Sequence, residues 1–203
     1  LLLDEPLGAL DLHLRRQVQE ELKRLQAATG RTFLHVTHDQ EEALALADRI
    51  LVMNRGVVED DGPPRRLYLK PRTRFVATFM GESTLIEGTV AGADGATVAV
   101  DTAVGRLVVP RPEGAAPAPG AAVALAIRPE HLALGAAPQG ALPLGSVRLG
   151  ETMFQGSFVR GHAASLAAPG LDLLVKLPVA LARLPGEVVP AFAMPDDFAL
   201  LTR

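Results

Sequence analysis

Two adjacent carboxylates, Asp4 and Glu5, close the apolar run Leu1-Leu2-Leu3, and an imidazole, His38, follows a second β-rich run, Thr32 to Thr37. A carboxylate at the carboxyl end of a strand can hold a hard cation such as Mg2+ through a coordinated water, because such cations on phosphates favour carboxylate and water oxygens. A second carboxylate one residue on can orient or deprotonate an attacking water, and an imidazole beside it can stabilise charge developing on a terminal phosphate. Each feature has a plainer reading. Asp-Glu-Pro can merely end a strand, and a lone histidine at a strand-to-helix junction is more often a cap or a hydrogen-bonded core residue. Specificity comes from the conjunction of Asp4-Glu5, the Gly8-Ala9-Leu10-Asp11 turn and Thr37-His38-Asp39, in that order on adjacent elements.

The elements that must position these groups are legible around them. An apolar run closing on acids suits a buried parallel strand whose end faces a ligand crevice. Asp11 can cap a helix in which Leu10, Leu14, Val18, Leu22 and Leu25 recur on one face, and Thr29-Gly30 ends it. Thr32 to Thr37 reads as a second buried strand, so that two parallel strands and a helix form a crossover unit. Thr37-His38-Asp39-Gln40 has the spacing of a capping box, with Glu41 and Glu42 in the first turn and the helix reaching about Asp48. Ile50 to Met53 and Val57-Val58 form a hairpin about Asn54-Arg55-Gly56, a helical turn lies around Leu67 and Tyr68, and a last helix covers Thr73 to Met80 before Gly81.

Beyond that point the pattern changes. Residues 1–80 hold 24 of the 43 charged side chains, and 12 of the 16 prolines lie after residue 80, so two domains are expected in 203 residues. Short apolar runs at 85–90, 97–101, 107–109, 123–127, 146–149, 158–160, 171–176 and 188–192 suggest a small antiparallel barrel or sandwich. Arg128, Glu130 and His131 could form a ligand cluster; local pairing of Arg128 with Glu130, with Pro129 setting an edge, is the preferred reading. Phe154, Phe158 and Gly150-Glu151 read as packing and turn residues.

Composition excludes several classes. A net charge of −3, sparse basic residues after residue 80 and 4% aromatic residues argue against nucleic-acid binding. With no cysteine there is neither a disulfide nor a thiolate metal site, and no apolar stretch approaches the length of a membrane span. Triphosphate binding usually needs a G-x-x-x-x-G-K-[ST] cradle; none occurs, and Gly81, Gly88, Gly92 and Gly95 have no following Gly-Lys pair. The chain therefore reads as a carboxyl-terminal fragment, inactive alone.

Leu1 to Asp11 resembles the Walker B strand and D-loop of ABC ATPases, and His35-Val36-Thr37-His38-Asp39-Gln40-Glu41-Glu42-Ala43 resembles their switch-histidine segment. The likeness continues through Val52 to Gly56, Leu67-Tyr68 with Pro71, and Phe75 to Gly81, which are similar to importer ATPases carrying a carboxyl-terminal TOBE domain. Ile127-Arg128-Pro129-Glu130-His131, Gly186-Glu187 and Pro195 to Leu201 resemble that domain itself. Residues 59–66 depart from the family pattern, and the Walker A, Q-loop and signature regions are absent.

The resemblance implies an α/β part followed by an all-β part: the end of a P-loop ABC ATPase domain over 1–81 and an OB-like TOBE barrel over 82–203. It implies ATP and Mg2+ as cofactors, with Asp4 the Mg2+-site acid, Glu5 the general base, His38 the switch histidine, Asp11 the D-loop acid acting across a dimer interface, and His35 structural. The implied partners are a second copy, permease subunits and, indirectly, a solute-binding protein, at the cytoplasmic face of the membrane. Gly81 to Gly88 resembles the junction of polyamine-type importers, with ferric-iron, sulfate and sugar types as alternatives. A stand-alone regulatory or dimerisation module is the competing reading. An ABC ATPase acting on DNA or ribosomes would lack the barrel after residue 85.

Overall fold

Alternating burial and local caps build most of the structure. The computed structural model describes residues 1–8, 10–181 and 184–202, so Ala9 of the expected turn lies outside the described residues. Two compact units form, Leu1–Leu67 and Tyr68–Arg203.

In the first unit, strand β1 (Leu2–Asp4) pairs in parallel with β2 (Leu34–Val36), in the register Leu2 to Leu34, Leu3 to His35 and Asp4 to Val36. Helix α1 (Leu12–Thr29) connects them. Asp11 caps it by accepting from the His13 and Leu14 amides, and Gly30, at φ +60°, ends it by donating to the Gln26 carbonyl. The expected burial does not follow. Leu14 and Leu25 are 42% and 48% exposed, and Leu2, Leu34 and Val36 are open as well. Among the described residues, two strands and one helix leave much of their sheet and helix faces open.

Helix α2 (Gln40–Leu46) stops two residues short of Asp48. Strands β3 (Ile50–Asn54) and β4 (Val57–Gly62) make the expected hairpin, turning on Arg55 and Gly56, both at positive φ. Buried Asp60 accepts from both Nη atoms of Arg66 at 2.7 Å, in the stretch where the sequence departs from the family pattern. Glycine is favoured at position 62, where φ is +156° and a Cβ would lie 2.7 Å from the Arg66 guanidinium, which would have to shift. Helix α3 (Pro64–Leu69) follows.

In the second unit, helix α4 (Arg74–Phe79), capped by Thr73, precedes ten strands: β5 (Thr84–Ala93), β6 (Thr97–Thr102), β7 (Gly105–Pro110), β8 (Ala122–Ile127), β9 (Ala133–Leu134), β10 (Leu142–Phe154), β11 (Phe158–Ser165), β12 (Asp172–Pro178), β13 (Val188–Ala193) and β14 (Ala199–Leu201). They form two five-stranded antiparallel sheets, ordered β14-β8-β5-β6-β7 and β12-β11-β10-β13-β9. The sheets curl about one shared core that takes Ile86, Val100 and Leu125 from the first and Leu144, Val147 and Leu173 from the second. The described chain is thus mostly β, with few helices.

All eight runs expected after residue 84 are strands. The run at 146–149 belongs to a 13-residue strand, because Pro143, Gly145 and Gly150-Glu151 are absorbed as register shifts and do not end it. Gly150-Glu151 is therefore a bulge inside β10 and not a turn, and Phe154 is 66% exposed where packing was expected. No helix among the described residues is long and apolar enough to cross a membrane.

Candidate functional site

The parallel register fixes the site. Asp4 lies beside Val36, and one residue further the Glu5 amide still donates to the Val36 carbonyl at 2.9 Å. Glu5 then takes φ +43°, a left-handed conformation that costs an ordinary residue about 1–3 kcal/mol, and Pro6 follows. The reversal leaves the Glu5 side chain at the strand end, where its Oε1 lies 2.8 Å from His38 Nδ1. Glu5 and His38, 33 positions apart, are thus joined, and both side chains are more than half exposed, at 54% and 76%.

The Asp4 side chain is exposed and makes no hydrogen bond or ion pair among the described residues. A free carboxylate suits a cation held through water; among the described residues no group of three or more His, Cys, Asp or Glu forms a direct metal cage. Asp11 does not join Asp4, Glu5 and His38 in any hydrogen bond. Its Oδ1 accepts from the His13 and Leu14 amides at 2.9 and 3.0 Å, so capping α1 is its structural work.

The segment carrying His38 is held by its neighbours. The N-cap of α2 is Asp39, whose Oδ1 accepts from the Glu42 amide at 3.1 Å. The cap falls on Asp39 rather than Thr37 because the helix begins at Gln40, and Thr37 supports it from upstream. Thr37 Oγ1 accepts from the Asp39 amide at 3.0 Å and donates to Glu42 Oε2 at 2.8 Å. His35 is shielded, with Nε2 2.5 Å from buried Glu42 Oε1, at ion-pair distance but outside hydrogen-bond geometry. Arg15 reaches Asp39 Oδ2 with Nη1 at 3.0 Å. The sequence marked Glu42 only as an acid in a first turn and did not single out Arg15. Only the fold reveals what they hold.

In the second unit, Arg128 and Glu130 are not partners. Arg128, 3% exposed, donates to the carbonyls of Tyr68 (from Nε at 3.0 Å and Nη2 at 2.7 Å), Ala77 (2.9 Å) and Glu82 (2.9 Å), and to Ser83 Oγ (2.8 Å). Its guanidinium carbon also sits 4.1 Å from the centre of the Tyr68 ring. Glu130 instead accepts from the Tyr68 hydroxyl at 2.6 Å. Local pairing fails because backbone carbonyls, invisible in a sequence, take every arm of the arginine. Pro129 opens a short 3-10 turn, Pro129–His131, and His131 Nδ1 lies 3.4 Å from Asp197. Burial pushes the Arg128 pKa down; burial first and then the hydrogen bond to Glu130 raise that of Tyr68 to about 12.

These features stand in sequences that are matched widely. The chain is homologous to the ATP-binding subunits of ABC importers. The spermidine/putrescine import ATP-binding protein PotA of Rubrobacter xylanophilus is 49% identical over 158 residues, which are 77% of this chain and 41% of that protein. The protein of the same name from Trichormus variabilis is 39% identical over 195 residues, covering 95% of this chain and 51% of its own length. The chain therefore spans about half the length, or less, of these curated relatives. No protein-family model matches it. Among solved structures, the cytoplasmic molybdate-binding protein ModG, with molybdate bound, aligns at a TM-score of 0.45 and 13% identity, over 57% of this chain and 93% of that one. At that score the likeness supports no argument about fold or function.

Proposed function

We propose that this segment forms the hydrolytic side of an ATP-binding site in an ABC importer subunit, with a carboxyl-terminal OB-like TOBE domain. The observation that carries the reading is the 2.8 Å contact between Glu5 and His38 at the ends of two parallel strands, where open α/β sheets receive ligands. Asp4 would hold Mg2+ through water, and ATP bound there would supply the terminal phosphoryl group. Glu5 would accept the proton of the attacking water. With His38 Nδ1 turned to Glu5, Nε2 is left to face the phosphate as a donor whenever the ring is protonated. The left-handed backbone at Glu5 supports a functional constraint, since strain of this kind clusters at functional sites where the surrounding structure holds it.

The names of these relatives support a spermidine- or putrescine-like solute. A second copy would complete the site, permease subunits would receive the work at the cytoplasmic face of the membrane, and a binding protein would deliver the solute. The domain boundary near residue 81 belongs to the same proposal. The test joins this segment behind the amino-terminal half of the Rubrobacter relative and replaces Glu5 with Gln. Gln keeps an acceptor for His38 but cannot take a proton, so ATP should stay bound while turnover falls about a hundredfold or more. Turnover equal to that of the unsubstituted subunit would refute the assignment.

A further inference from the structure

His38 is poorly held by its own side chain. Its one contact, to Glu5, is an exposed pair, and such pairs contribute little to fixing a conformation. Its position must therefore come from the backbone on either side, and Asp39 is the residue most firmly fastened there. Its amide is bound by Thr37, its Oδ1 by the Glu42 amide and its Oδ2 by Arg15.

Arg15 does more than close that list. The same guanidinium sends Nη2 to the carbonyl of Leu10 at 3.3 Å, in the turn that leads from Glu5 to the cap Asp11. One planar fork thus joins Leu10, ahead of α1, to Asp39, 24 positions beyond Arg15 in the segment carrying His38. Its side chain is only 30% exposed, and its buried Nε has no hydrogen-bond partner among the described residues. A buried donor left unpaired carries a desolvation cost that the bonds of the other arms must offset.

We propose that Arg15 is a positioning residue that locks the Leu10–Asp11 turn to the His38 segment, so that the two shift as one body. The consequence for ATP turnover rests on the function proposed above; the coupling itself does not. Lys23 provides a control, because it also ties α1 to the second helix, through the Ala45 carbonyl at 2.9 Å, without touching either segment.

Amide hydrogen exchange on the 203-residue chain tests the coupling, read at Leu10, whose amide bonds to Leu7, and at Asp39 and Glu42. In Arg15→Ala all three amides should exchange about three- to tenfold faster, while the middle of α1 stays unchanged. In Arg15→Lys a single ammonium can keep Asp39 but not both partners, so Leu10 alone should be released. Lys23→Ala should move none of the three. Acceleration at one segment only in Arg15→Ala, uniform acceleration along α1, or the same pattern in Lys23→Ala would overturn the proposal. If Arg15→Ala does not fold, the split in Arg15→Lys decides. In the joined subunit, Arg15→Ala should lower kcat about tenfold at unchanged KM for ATP, with Arg15→Lys between. A subunit without any ATP turnover would defeat the ATPase reading and leave the exchange result standing.

Discussion

Truncating Arg128 to Ala should unfold the second unit at a much lower denaturant concentration. The substitution orphans the carbonyls of Tyr68 and Glu82, in a place that is 3% exposed, while the Ala77 carbonyl and the Ser83 hydroxyl keep each other as partners at 3.0 Å. A buried acceptor left without a donor costs about 1–3 kcal/mol, and the lost contact with the Tyr68 ring adds about 1 kcal/mol. Water can enter the vacated volume, so the lower half of the range applies, about 1.5 kcal/mol for each of the two carbonyls, and with the ring contact the sum is about 4 kcal/mol. With a urea slope of about 2 kcal/mol per molar, the midpoint should fall by about 2 M. The readout is unusually clean. The chain has one tyrosine and no tryptophan, so intrinsic fluorescence reports only the ring beneath this guanidinium. Arg128→Lys keeps the charge but cannot serve acceptors on three sides, and should recover less than half of the loss. A midpoint within about 0.5 M of the parent, at unchanged slope, would show that these carbonyls do not need the arginine.

Four further outcomes follow from the geometry. The Tyr68 phenol should ionise near 12 in the folded chain and near 10 when unfolded, as followed by ultraviolet absorbance. Its raised pKa means that the folded form holds the proton more tightly, so this stabilisation is complete below pH 10 and is lost as pH rises through 12. Glu130→Gln should move the folded titration downward, and an unmoved midpoint would refute the assigned cause. Arg160 holds Glu82 and Arg74 holds Glu87 below the ordinary glutamate value of 4.5, chiefly by hydrogen bonding, so their contribution is present above that pH and lost as pH falls beneath it. Glu87→Gln should flatten that acid limb in pH-dependent urea melts, and an identical limb would count against it. Gly88→Ala should cost about 1–3 kcal/mol, since the added carbon would lie 2.5 Å from Val100 Cγ1 and 2.8 Å from the Asp101 carbonyl; a neutral thermal melt would disprove the clash.

What the sequence revealed and what it hid divide along one physical line. Helix α1 could be bounded because both limits are local: a carboxylate that caps and a glycine that turns left-handed. The hairpin at Asn54-Arg55-Gly56 was legible for the same reason, and of the groups in the order Asp4, Glu5, His38 the parallel register brought Glu5 and His38 to 2.8 Å. Burial was misjudged, because Leu2, Leu34 and the α1 stripe carry an interior pattern whose cover depends on surfaces beyond these elements. Strand β10 was cut short because glycine and proline look like stops until two neighbouring strands absorb them as bulges. Arg128 and Arg15 were misread or passed over because their partners include main-chain carbonyls, which carry no letter of their own.

Both capping bonds on Asp11 fall on a single oxygen, Oδ1, and Oδ2 takes part in neither. A side chain that anchors its own helix with one atom leaves the other out of the cap, so a bond made through that second oxygen would not fray the helix behind it. Asparagine at this position would preserve the anchoring carbonyl and silence the outward charge. That one exchange would separate holding the helix from meeting whatever arrives at its mouth.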